Sequence, residues 1–282
     1  MKPYFKKLAI LLIATIAFAS CSKDVNETEM NELEGFTKIR ELSNSTHTIE
    51  LYSEKEALIV GYNEIKLRIL DNSSDIFVKN AQISWNPVMH MMMMNHSCPK
   101  STVEKVADEG NLYEGYIVFQ MEENASEYWD LTIDYTIDGV DYSITSEIDV
   151  LATDKRTVNS FTGSDNVRYL VTYIESTEPK VAINDMKIGV WKMENMMSFP
   201  MVDDYTVKID PRMPSMGNHS SPNNVNATQS NPGAFYEGKL SLTMTGYWKI
   251  NLQLANADGT VLKGEEISST VESSSIFFEI EF

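Results

Sequence analysis

The chain has 282 residues, 43% of them hydrophobic, with 23 Lys and Arg against 41 Asp and Glu and a formal charge of −18. An acid excess this large argues against nucleic acid and anionic membrane surfaces as partners. The two cysteines, Cys21 and Cys98, exclude a disulfide-dense scaffold, so folding must rest on core packing.

The N-terminus reads as a secretory signal: Lys2, Lys6 and Lys7 form a basic region, and Leu8 to Phe18 an apolar run too short to span a bilayer. Phe18-Ala19-Ser20-Cys21 resembles a bacterial lipobox, which implies cleavage before Cys21 and a diacylglyceryl group on its sulfur. Residues 1–20 are thus predicted to be a lipoprotein signal peptide. Losing them removes three lysines and no acid, leaving 20 basic residues against 41 acidic. Cys98 is then the only free cysteine of the mature chain. Residues 21–47 are polar, acidic and poor in strand formers, and read as the lipidated cysteine followed by a flexible tether.

Beyond the tether the sequence repeats itself at an offset of about 120 residues. Asn63-Glu64-Ile65-Lys66-Leu67 parallels Asn184-Asp185-Met186-Lys187-Ile188, and Asn95-His96-Ser97-Cys98-Pro99 parallels Asn218-His219-Ser220-Ser221-Pro222. Tyr113-Glu114-Gly115 parallels Tyr236-Glu237-Gly238, Met121 matches Met244, and Trp129 matches Trp248. Within each copy the hydrophobic period is two. Trp129, Leu131, Ile133 and Tyr135 alternate, as do Trp248, Ile250, Leu252 and Leu254, which predicts half-buried antiparallel strands. Further strands are expected at 48–53, 57–61, 64–70, 80–85, 113–121 and 140–150, then at 167–174, 186–192, 204–209, 236–244 and 276–282. Asp138-Gly139 and Asp258-Gly259 supply hairpin turns. The expected fold is all-β: two tandem immunoglobulin-like β-sandwich domains, at 48–152 and 165–282.

Between strands, each copy carries an irregular stretch that opens with methionine and histidine. The first reads Pro87-Val88-Met89-His90-Met91-Met92-Met93-Met94-Asn95-His96-Ser97-Cys98, and the second Pro211-Arg212-Met213-Pro214-Ser215-Met216-Gly217-Asn218-His219. Thioether, imidazole and thiol form the ligand set preferred by soft metal ions, Cu(I) foremost, and thioethers bind without losing a proton. The expected metal ligands are therefore Met89, His90, Met91, Met92, Met93, Met94, His96 and Cys98 in the first copy. Met213, Met216 and His219 are their counterparts in the second. Met121 and Met244 alternate inward and read as core, and Met186, Met193, Met196, Met197 and Met201 as packing or interface. An exposed methionine run also suits a contact surface for a partner. No nucleophile elbow, zinc-protease helix or phosphate loop occurs, so no enzyme is expected.

The second copy, with Pro211-x-Met213-Pro214-x-Met216-Gly217-x-His219, Pro232-Gly233-Ala234-Phe235-Tyr236-Glu237-Gly238 and Leu242-Thr243-Met244-Thr245-Gly246-Tyr247-Trp248, resembles the YtkA-like and FixH-like domain family. The first copy resembles it more loosely. The resemblance implies a small β-sandwich on a secreted or membrane-anchored bacterial protein, and a partner in copper handling or cytochrome oxidase assembly. The lipobox and acidic stretch look like lipoproteins of the Bacteroidetes type. The expectation is an envelope lipoprotein, anchored to the membrane by lipid, that carries, buffers or delivers copper. A surface interaction protein contacting a protein or glycan is the alternative.

Overall fold

The computed structural model describes residues 32–282; the signal segment and Cys21 lie outside them. The described chain is all-β, its only helical element being a 3-10 turn at Pro214–Met216. No helix among the described residues is long and apolar enough to cross a membrane.

The first half is a sandwich of two sheets. One runs in the order Thr37–Ser43, His47–Ser53, Gly61–Asp71, Tyr113–Phe119, Glu104–Lys105, and the other Val140–Ile148, Tyr128–Ile137, Gln82–His90, Asn95–His96. Alternation sets which side faces the core. Along Tyr128–Ile137, Trp129, Leu131, Ile133 and Tyr135 are buried, and the residues between them are more open. They meet Leu51, Ile65, Leu67, Ile117 and Phe119 from the opposite sheet in one hydrophobic cluster.

Residues 37–43 correct the tether expected at 21–47. They form a strand antiparallel to His47–Ser53, with Leu42 its one buried side chain. An edge strand with a single inward anchor has little apolar periodicity to read. The gap expected between strands at 153–164 likewise holds the strand Val158–Thr162.

In the second half the strands join into one ten-stranded sheet, and Val225–Gln229 links Tyr236–Ser241 to Thr206–Met213. Its separate core contains Trp248, Ile250, Leu252, Leu254, Tyr236 and Phe278. The same bonds recur in the two halves. Asn63 accepts from the amide of Ile59 at 3.0 Å and donates to its carbonyl at 2.8 Å; Asn184 does the same with Lys180, at 2.8 and 2.9 Å. Trp129 Nε1 donates to the Met121 carbonyl and Trp248 Nε1 to that of Met244, both at 3.0 Å. Gly115 and Gly238 leave no room for a side chain. A Cβ would lie 2.7 Å from the Trp85 ring at the first and 2.6 Å from the Val225 carbonyl at the second.

Between the halves runs an aromatic seam. Val118 from the first half is buried with Leu170 and Trp191 from the second, and Tyr62, Tyr116 and Phe235 pack around them. The Tyr116 ring lies 5.3 Å from that of Phe235 and 6.1 Å from that of Trp191. Hence Tyr113–Phe119 buries Ile117, Val118 and Phe119 consecutively: one sheet face meets its own core and the other meets the neighbouring half.

Candidate metal centre

The methionine-histidine segments sit at the same end of equivalent strands. Gln82–His90 pairs with Tyr128–Ile137, and Thr206–Met213 with Tyr247–Ala255. Each carries a proline, Pro87 or Pro211, two residues before the last inward methionine. Both strands have only short pairing on their other side, a setting in which a sheet tolerates proline.

After that methionine the chain turns back. In the first half Met91 N–H donates to the Met94 carbonyl at 3.1 Å, which leaves Met92 and Met93 at the tip of a tight hairpin. The return strand Asn95–His96 pairs Met89 with His96 and His90 with Asn95. In the second half Met213 pairs with His219, but the turn is longer. It contains the 3-10 turn Pro214–Met216 and then Gly217 at φ +65°, the left-handed conformation that suits glycine.

These turns separate the expected ligands into two populations. Met89, on the inner face, is wholly buried among core residues, and Met213 is almost so. Both lie on strands rather than in loops, and their thioethers serve packing first. Met91 packs partly against the core. Met92 and Met93 are 81% and 89% exposed, Met94 is 48% exposed, and Met216 in the second half is also open.

Cys98, also an expected ligand, lies away from solvent. It is buried in the core, and burial pushes its thiol well above the usual range despite the opposing charge of Lys100. A soft metal binds the thiolate, which this site disfavours.

The three histidines of these segments stand in three different states. His90 Nε2 lies 2.5 Å from Asp130 Oδ2, and its ring stacks on Tyr128 at 4.8 Å. That nitrogen is therefore committed to a carboxylate on the outer face. His219 is exposed beside Met213.

His96 is nearly buried. Its Nδ1 lies 2.8 Å from the Ser97 carbonyl oxygen, which can only accept, so Nδ1 carries the proton. With Nδ1 as donor, the lone pair of the uncharged form lies on Nε2, which takes no hydrogen bond among the described residues. Metal-binding imidazoles commonly take this tautomer, held by a backbone carbonyl on the other nitrogen. The ring also meets Trp129 edge to face at 5.6 Å.

Chemically, then, the first half offers one oriented imidazole nitrogen beside a methionine-rich turn. No group of three or more His, Cys, Asp or Glu suited to a metal occurs among the described residues. Any site here is built on sulfur from methionine. Met89 and His96, both expected as ligands from one segment, stand opposite each other in the ladder of the return strand. Sequence reasoning missed that their strand pairing turns Met89 inward, although Met89 continues the inward alternation of Trp85 and Pro87.

No protein-family model matches the sequence, and no curated protein matches it. Among solved structures, the adhesin FdeC of Escherichia coli aligns over 78% of this chain at 12% identity and a TM-score of 0.26. A conserved domain protein from Bacillus anthracis aligns over 89% of this chain and 93% of its own length, at 10% identity and a TM-score of 0.32. The chain spans 64% of the length of the adhesin chain it aligns with.

Proposed function

We propose that this protein binds a soft metal ion, copper as Cu(I), at the His96 end of the first sandwich, and carries, buffers or delivers it in the bacterial envelope as a lipid-anchored protein. The observation that carries this reading is the state of His96: Nδ1–H is spent on the Ser97 carbonyl and Nε2 is left without a partner, next to a turn bearing exposed thioethers. A neutral imidazole with thioethers matches the soft acceptor character of Cu(I) and releases few protons on binding. The resemblance of the second half to YtkA-like and FixH-like domains agrees with this reading, as does the lipobox-like Phe18–Cys21. The test is a Cu(I) competition titration against a chromophoric chelator on residues 22–282. Binding that weakens in His96→Ala supports the reading. No binding by the wild-type chain, or binding indifferent to that change, sinks it.

A second reading rests on the same turn. Met92 and Met93 expose adaptable apolar side chains at a hairpin tip, a surface that suits contact with a partner protein. If copper fails to bind, a surface interaction protein is the reading left standing.

A further inference from the structure

The second half reaches the residue next to His96 through a methionine-bearing turn of its own. The strand Ile183–Lys192 runs on into a hairpin closed by an Asn195–Ser198 bridge, whose tip presents Met196 and Met197, 42% and 45% exposed. This tip docks on the first half. Ser97 N–H donates to the Met196 carbonyl at 2.8 Å, and Ser97 is the residue after His96. The Ser97 carbonyl, which already holds His96 Nδ1, also accepts from Gln120 Nε2 at 3.4 Å. With consecutive Cα atoms 3.8 Å apart, a backbone hydrogen bond from Ser97 to Met196 places the His96 and Met196 Cα atoms within roughly 10 Å. A methionine side chain and an imidazole span that gap with an ion between them.

Packing alone accounts poorly for this junction. Turn tips favour Gly, Asn, Asp and Ser, yet this one carries two half-exposed thioethers, and its backbone bonds to Ser97, three residues beyond Met94. Beneath it Ser97 is wholly buried. Its Oγ is the one buried side-chain oxygen or nitrogen among the described residues with no hydrogen-bond partner. Leaving such a group unmatched is unfavourable, which marks the junction as a place not optimised for packing.

We propose that the Cu(I) site centred on His96 is completed across the seam by Met196 and Met197, so that one ion is held by both halves of the chain. The proposal rests on His96 being a ligand, as the preceding reading has it. It implies that the metal ties the two halves together beside the backbone bond from Ser97 to Met196.

The experiment compares residues 22–282 in four forms: wild type, His96→Ala, Met196→Leu/Met197→Leu, and Met92→Leu/Met93→Leu. Leucine keeps volume and removes sulfur, and unchanged circular dichroism and apo melting temperature confirm folding. Each form is titrated with Cu(I) against a chelator, and the sulfur coordination number is read by X-ray absorption. The Met196→Leu/Met197→Leu form is expected to lose at least about tenfold in affinity, the scale on which even outer partners of a metal act, with fewer sulfurs around copper. If that form binds like wild type while His96→Ala binds weakly, the site lies wholly in the first half and the shared site is overturned. If wild type does not bind, the copper reading itself falls and this proposal with it.

Discussion

His96 stands directly opposite Met89 in a two-residue ladder, and Met89 in turn stands opposite Trp129 on the other side. The three side chains therefore share the inner face of one sheet. Only the last of that row, His96, lies at the margin of the core with a ring nitrogen to spare. Met89 and Trp129 thus back the imidazole from within the core, and the turn beyond carries Met92 and Met93 in the open.

The histidines are predicted to act unequally. His90→Ala should leave Cu(I) affinity within about threefold of wild type, because His90 Nε2 is engaged by Asp130. His96→Ala should lower it at least about tenfold. Competition titrations of the two variants side by side check this, and equal losses would contradict the assignment.

Met89 and the tip methionines should separate stability from binding. Met89→Ala empties a wholly buried core position and is expected to cost about 2–5 kcal/mol in urea unfolding, and Met89→Leu less than about 1.5. Met92→Ser and Met93→Ser, at exposed positions, should stay within about 0.5 kcal/mol of wild type.

Cys98 should be inert in the native state. A disulfide-exchange reagent at about pH 8 is expected to label it only after unfolding, since burial holds the thiol protonated. Cys98→Ala should keep copper affinity. Rapid labelling of the folded protein would show that the core opens there.

Acid should unfold the first half partly through Glu50. Burial pushes this carboxyl up, but hydrogen bonds from Tyr52 and Arg68, each 2.6 Å, outweigh it and hold the group below its ordinary value. The unfolded chain then takes up the proton first. The stabilisation is complete above about pH 4.3, the ordinary glutamate value, and is lost as pH falls through the folded one. Glu50→Gln should flatten the loss of stability between about pH 5 and about pH 3 in a urea series. Burial, with the bond to Glu50, pushes Tyr52 up to about 12.

Much of the fold was legible because two-residue alternation is enforced wherever one sheet face is buried; Trp129 to Tyr135 is the clearest stretch. The strand Thr37–Ser43 was not legible, having only Leu42 to anchor it. Val225–Gln229, in Asn-Val-Asn-Ala-Thr-Gln, hides for a similar reason: only Ala227 turns inward. At the site, the pairing of methionine with histidine could be read from spacing. The approach of Met196 to Ser97 could not, since it joins residues about 100 positions apart and depends on how the two halves meet.

The aromatic seam has a practical consequence. Either half produced alone would display Val118, Tyr62 and Tyr116, or Leu170, Trp191 and Phe235, to water. Such a surface is adhesive in its own right. Self-association, or capture of other proteins by an isolated half, would report a wound made by cutting rather than a property of the whole chain.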